Sequence, residues 1–232
     1  MNAQIHTEGI VIAIDGPSGS GKSSTSRGVA TAKALRYLDT GAMYRALTWW
    51  MLQRGIDVSD PTAVAGAATT PTITMGTDPA APTVHVDGTD VAQAIRSQEV
   101  TANVSAVASV PAVRERLVAL QREMITEARE HTSGIVVEGR DITTVVAPDA
   151  QVKLFLTASQ EARAHRRSAE VHSEDVAGTQ EALALRDRLD SSRALSPLTQ
   201  TAEATELDST GLTLEEVIAL VAGLAEEARA AA

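Results

Sequence analysis

Gly16-Pro17-Ser18-Gly19-Ser20-Gly21-Lys22-Ser23 lies between the apolar run Ile10-Val11-Ile12-Ala13-Ile14 and a helical stretch from Lys22 to Leu35. The octet fits the pattern G-x-x-x-x-G-K-[ST]. The run before it is short and β-branched, so it reads as a buried strand. Strand, glycine-rich turn and helix, in that order, make the match a mechanism. Gly16, Gly19 and Gly21 let the backbone turn without a Cβ clash and aim successive N–H groups inward. The helix N-terminus adds partial positive charge. Lys22 reaches the outer phosphates of a nucleotide, and the Ser23 hydroxyl reaches a magnesium ion.

The 232 residues are 44% hydrophobic, enough for one domain with insertions. The formal net charge of −10 argues against a nucleic-acid partner, because the phosphate backbone would repel most of the surface. A phosphate-bearing ligand must therefore meet locally concentrated cations. Arginine supplies them, with 17 Arg against 3 Lys, and arginine suits bidentate phosphate recognition. The absence of cysteine excludes disulfides, thiolate zinc sites and a cysteine nucleophile. Met1 to Gly9 is polar and short, unlike a signal peptide, and no apolar run has the length of a membrane span. The expectation is a cytoplasmic protein with no membrane and no nucleic-acid partner.

Outward from the octet, Tyr37 to Gly41 reads as a brief strand and turn, and Ala42 to Gln53 as a helix ended by Gly55. Met43, Leu47 and Trp50 share its core-facing side. Asp57 to Pro71 reads as irregular, with a turn at Asp60-Pro61. Ile73–Met75 and Val84–Val86 alternate as half-buried strands, so 72–92 is expected to be a small antiparallel insert apart from the main sheet. Helices follow at about Glu99–Ser109 and, opened by Pro111, to about His131. Strands are expected at Gly134–Glu138, Val152–Leu156 and Ala204–Leu207. Ser159 caps one later helix, another spans Thr179 to Ser192, and Thr213 to Glu216 form a capping box for the last. The alanine-rich C-terminus is expected to fray. Alternating strands and helices argue for a parallel sheet covered on both faces.

Ligands of such sheets sit outside the carboxyl ends of the strands. Asp39-Thr40, Gly139-Arg140-Asp141 and Asp208-Ser209-Thr210 converge there with the octet. Arg186, Asp190 and Arg193 share a helical face, as do Arg163, Arg166 and Arg167. Each set fits either a solvated, ion-paired surface or a cation-bearing arm over the loop. Aligned phosphates, a metal ion and several cations are what phosphoryl transfer requires. The five histidines, His165 and His172 included, have no metal-ligand spacing, and no serine has a His–Asp partnership.

Ile14 to Lys22, Tyr37 to Arg45, Ile95 to Val100, Glu138 to Ile142, Arg186-Asp187 through Asp190 to Arg193, and Leu207 to Thr210 together resemble bacterial cytidylate kinases. The resemblance runs from about Ile10 to Ala222. It implies an α/β, three-layer P-loop NTPase fold with a parallel central sheet, a small antiparallel insert in the monophosphate-binding region and a helical lid. The implied division is a core (about 8–54, 110–160 and 200–232), an insert (about 55–109) and a lid (about 161–193) in one domain. The implied reaction moves the γ-phosphate of ATP to CMP or dCMP with Mg²⁺, in a monomer. Gly16, Pro17, Ser18, Gly19, Ser20, Gly21, Lys22, Ser23 and Ser24 would hold ATP, with Arg163 and Arg167 on the lid arm and Ser23 on the metal. Thr40, Tyr44, Arg45, Ser105, Arg114, Arg140, Asp141, Arg186, Asp190 and Arg193 would line the monophosphate site. Asp141 would read the cytosine amino group and Asp190 a sugar hydroxyl. Lys22, Arg140, Asp141, Arg186 and Arg193 would carry the catalysis.

Three positions depart from the family pattern. Arg36 replaces a glycine and is expected to alter only a turn. Thr143 stands where many relatives have glycine, so the loop backbone there is expected to differ. Leu189 occupies a spot where some relatives carry another lid arginine, with Arg188 as the expected substitute. The run from Asp39 to Arg45 and the 72–92 insert argue against the nearest rival, another small-acceptor kinase on the same fold, such as one acting on AMP or shikimate. A GTP switch would need an N/T-K-x-D motif, which neither Lys33 nor Lys153 provides. At 2% aromatic residues the chain also lacks the stacking groups of a nucleic-acid binder.

Overall fold

The computed structural model describes residues 8–170 and 173–231. The N-terminal polar stretch up to residue 7, and His172, lie outside the described residues. β1 (Ile10–Asp15) is buried along its whole length, which is possible because the chain covers both of its faces. Ile10, Ile12 and Ile14 pack with Val29 and Ala30 of α1 (Lys22–Ala32) and with Val217, Val221 and Ala225 of α8 (Leu214–Ala230). Val11 and Ala13 point the other way, toward Met43 and Leu47 of α2 (Thr40–Gln53) and Leu117 of α5 (Pro111–His131). The alternation of one strand thus builds two cores and three layers.

The five strands of the sheet are all parallel, in the order β2 (Arg36–Asp39), β6 (Gly134–Gly139), β1, β7 (Val152–Thr157), β8 (Thr205–Asp208). Pairing of Asp15 with Gly139, Asp39 with Glu138 and Thr157 with Asp208 brings the carboxyl ends to one edge. The segments expected to carry chemistry follow these ends. A second sheet of three antiparallel strands, β3 (Ile73–Met75), β4 (Val84–Val86) and β5 (Thr89–Asp90), stands apart. Asp87 at φ 51° and Gly88 at φ 80° form the tight turn that pairs β4 with β5. Ile73, Val84 and Val86 share the core of α2, so this sheet adds no core of its own. Arg27 of α1 donates to the Pro79 carbonyl at 2.8 Å, and Tyr37 N–H to Thr77 at 2.9 Å, tying the β3–β4 connection to the main sheet.

Helix ends follow from local chemistry. Asp39 accepts from Ala42 N–H at 2.9 Å, so α2 starts at Thr40 and absorbs the Thr40-Gly41 pair expected in a turn. Asp60 caps α3 (Pro61–Ala67), with Pro61 in the first turn, where an irregular segment was expected. Its Pro and Asp are helix-start signals as well as turn signals. Ser97 caps α4 (Gln98–Ala108) and Ser159 caps α6 (Gln160–Glu170). Asp175 caps α7 (Val176–Ser191), which begins a turn earlier than Thr179. α1 stops at Ala32, short of Leu35, because Ala34 at φ 52° lets Leu35 N–H bond back to Ala30. Thr213 and Glu216 complete the capping box of α8, which runs to Ala230. Arg36 lies in β2 and pairs with Glu127 at 2.9 Å, so its change falls in a strand and not a turn. Among the described residues no helix is long and apolar enough to cross a membrane.

Candidate active site

The sheet edge opens into a cleft of about 690 Å³. One wall is the glycine-rich loop. Gly16, Gly19 and Gly21 have φ of 150°, 77° and 91°, a region open to glycine and strained for other residues. At Gly19 a Cβ would fall 2.9 Å from the Arg163 carbonyl, so glycine also lets α6 pack onto the loop. Lys22 curls back over the turn and donates to the Pro17 carbonyl at 2.7 Å. Burial, and then the Arg140 guanidinium, lower its pKa to about 7, with Glu138 and Asp15 opposing. Ser23 and Ser24 are exposed and line the cleft.

The opposite wall comes from distant elements. Thr40 donates to the Glu138 carbonyl at 2.7 Å, and Arg45 pairs with Asp39 at 2.8 Å. A side chain at Gly139 would collide with the Thr40 hydroxyl, which explains that glycine. Arg114 of α5 forms a buried ion pair with Asp141, and its guanidinium lies 5.4 Å from the centre of the Tyr44 ring. Burial pushes the Tyr44 hydroxyl up to about 12, against the pull of Arg114. Asp190 of α7 takes Arg140 at 2.7 Å on one oxygen and Arg193 at 2.8 Å on the other. Ser105 approaches the same carboxylate at 3.4 Å. Burial alone would raise the Asp190 pKa; the Arg140 and Arg193 charges outweigh it and hold the carboxyl below its ordinary value. Among the described residues the buried Nε of Arg186 has no hydrogen-bond partner, and burial followed by Arg140 lowers its pKa to about 10.

One cleft therefore unites Ser18 through Ser24 with Thr40, Tyr44, Arg45, Ser105, Arg114, Arg140, Asp141, Arg186, Asp190 and Arg193. Arg140 bridges the walls by donating to the Gly16 carbonyl at 2.6 Å. Gly16 and Pro17 form the root of the loop. The three arginines of α6 divide. Arg163 is buried beneath the loop, bonded to the Ser18 carbonyl at 3.0 Å and paired with Asp187. Arg166 reaches over to Ser20 and Ser209, donating to the Ser209 carbonyl at 2.7 Å. Arg167 lines the cleft but pairs with Glu170 at 2.8 Å. Arg188 lies beside Gln160, Ala184 and Asp187, outside the lining of the cleft. His165 is exposed on α6.

Three residues of the site escaped the sequence reading. Arg166 was readable only as part of a basic face. Asp187 accepts Ser18 N–H at 3.1 Å across 169 positions, with no local signal. Glu138 is a buried carboxylate beside Lys22, bonded by the Tyr37 hydroxyl, and burial, followed by the Asp39 charge, raises its pKa. A charged residue ending an apolar strand was the signal that could have found it.

The cytidylate kinase family model matches residues 12–227. A cytidylate kinase from Streptomyces avermitilis is 60% identical over 96% of this chain and 95% of its own length. One from Limosilactobacillus fermentum is 46% identical over 95% of this chain and 97% of its own. Solved structures share the fold at low identity. An uncharacterized protein from Eubacterium ventriosum has a TM-score of 0.52 at 10% identity, covering 94% of this chain and 98% of that one. A gluconokinase from Sinorhizobium meliloti has a TM-score of 0.50 at 16% identity, covering 96% and 95%. With its loop, its opposing arginine–carboxylate wall and these full-length relatives, the chain belongs to the cytidylate kinase family.

Proposed function

We propose that this chain transfers the γ-phosphoryl group of ATP to CMP or dCMP, giving ADP and CDP or dCDP. The observation that carries the reading is the two-walled cleft, in which a phosphate-type loop faces a second wall of paired arginines and carboxylates with room between them for an acceptor. Residues 16–24 hold the donor, with α6 packed on the loop through Arg163 and Arg166, and Arg167 freed from Glu170 when the lid engages. Arg140, Arg186, Arg193 and Lys22 neutralise charge on the transferring group. The acceptor oxygen of a nucleoside monophosphate is already ionised near neutral pH, so positioning and charge stabilisation suffice without a strong base.

The Arg114–Asp141 pair supports cytosine as the base. It presents donors from the guanidinium beside an acceptor from the carboxylate, complementary to a ring acceptor beside an amino group. Uracil offers the reverse pattern and would leave a buried acceptor facing a carbonyl oxygen. Thr40, Tyr44, Arg45 and Ser105 complete the acceptor wall, and Asp190 reaches the sugar.

The donor set also fits Mg²⁺. The Ser23 hydroxyl is exposed in the cleft and the Glu138 carboxylate lies nearby, and magnesium is commonly bound through few protein oxygens plus phosphate and water. Bound there, the ion would neutralise phosphate charge. Core, insert and lid divide at about 55, 110, 161 and 193. A monomer suffices, since both walls come from one chain, and a cytoplasmic nucleotide pool is the fitting location. The test is a coupled ADP-release assay with ATP, magnesium and CMP, dCMP, UMP, AMP or GMP. CMP and dCMP should be used well above the others. Equal rates with AMP, or none with CMP, would sink the reading.

A further inference from the structure

The loop and the Arg140-Asp141 pair leave neighbouring parallel strands, and their strand pairing ends at Asp15 and Gly139. Past that point hydrogen bonds to one side chain hold the two exits together. Asp15 is 0% exposed. Its Oδ1 accepts Ile142 N–H at 2.9 Å; its Oδ2 accepts Thr143 N–H at 2.8 Å and the Thr143 hydroxyl at 2.7 Å. Arg140 closes the ring on the Gly16 carbonyl. The chain from Ile142 to Val146 forms one π-type turn, and Arg122 holds its far end by donating to Val145 at 2.6 Å and Val146 at 3.3 Å. Gly16 is fixed as well, because its backbone sits against the Leu156 carbonyl with no room for a Cβ.

This arrangement is costly. Among the described residues Asp15 has no ion-pair partner, and burying a carboxylate without one is unfavourable even when it is hydrogen-bonded. Desolvation accordingly raises its pKa, with the bonds from residues 142 and 143 opposing. The five preceding strand positions are all apolar, and packing alone would be served by a sixth.

We propose that Asp15 and Thr143 form a positioning clamp that fixes Arg140 and Asp141 relative to the phosphate loop, so that acceptor and donor meet in line. The clamp rests on the acceptor role proposed above for Arg140 and Asp141. Neither Asp15 nor Thr143 lines the cleft, so the clamp acts through the turn it holds. The Thr143 hydroxyl is the part open to a clean change, since Thr143→Val keeps the branched shape and removes one donor.

The experiment compares Thr143→Val, Thr143→Ser and Arg140→Ala with the unmodified chain, measuring kcat, KM for CMP, KM for ATP and Tm. Thr143→Val should lower kcat/KM for CMP by about three- to tenfold, the equivalent of one buried hydrogen bond. KM for ATP should stay within about twofold, and Thr143→Ser should restore CMP use, because it restores the bond. A fall in Tm with unchanged CMP kinetics, or equal losses toward CMP and ATP, would reduce the clamp to a stability contact and overturn it. Arg140→Ala separates the two levels. If it damages CMP use while Thr143→Val is silent, the clamp alone falls. If Arg140→Ala leaves CMP use intact, the acceptor reading falls and takes the clamp with it.

Discussion

The two walls of the cleft are built differently. The loop wall is one continuous octet, shaped by three glycines at positive φ and carrying a single lysine. The facing wall is assembled from α2, α4, α5, the exit of β6 and α7, and it is held by ion pairs such as Arg140–Asp190 and Arg114–Asp141. A backbone-built wall depends on few side chains. A side-chain-built wall depends on each of its pairs, because removing one partner leaves the other charge buried.

That contrast breaks first at Lys22. Lys22→Met should lower kcat by about 10²- to 10³-fold, as loss of one charge-stabilising donor does. It should also raise the Tm of the nucleotide-free chain. A lysine whose folded pKa of about 7 lies below its ordinary value loses stability as pH falls from its ordinary value through that lowered one, so removing it relieves the penalty near neutrality. A loss in kcat below about tenfold would mean that the loop backbone suffices by itself.

The facing wall is probed at Asp190. Asp190→Asn should raise KM for CMP by about tenfold, because Arg140 and Arg193 lose their shared charged acceptor, while KM for ATP moves less than about twofold. Equal movement of the two constants would show that the walls are not separable. Asp190→Ala should damage acceptor use as selectively, and should also destabilise the fold, by about 3–5 kcal/mol, as breaking a buried pair does.

The smallest effect sharpens the electrostatics. Phosphates brought to Lys22 should raise its pKa, so ATP binding at about pH 8 should take up a fraction of a proton, and affinity should fall as pH rises above about 7. Calorimetry in two buffers of different ionisation enthalpy measures the uptake. Lys22→Met should abolish it. Undiminished uptake in that variant would assign the proton elsewhere in the cluster of Arg140, Arg186, Glu138 and Asp15 that surrounds the lysine.

Much of the fold was legible because its signals are local. The continuous apolar run of β1, the Asp39 region, Pro111 and the Thr213–Glu216 box each lie within a few residues of the element they specify. α3 was missed because Asp60-Pro61 serves a turn and a helix start equally well. In the site, the loop was legible and the choice among the α6 arginines was not. Arg166 and Arg167 are adjacent, and only the docking of α6 against Gly19 sends one to Ser209 and the other to Glu170. Thr143 was visible as a departure from pattern, but its bond to Asp15 spans 128 positions.

The sequence by itself determined the phosphate loop, the alternation of strands and helices, the small antiparallel insert and the residues available for chemistry. The loop follows from three glycines with Lys22 and Ser23 in one contiguous octet, and the strands and helices from backbone geometry that leaves a period of two or 3.6 residues in the chain. The tertiary structure alone decided which arginine neutralises which aspartate, how far burial lowers Lys22, and that Asp15 and Asp187 act across the fold. Those depend on where distant elements cross and how much water they exclude, and neither quantity is periodic in the sequence.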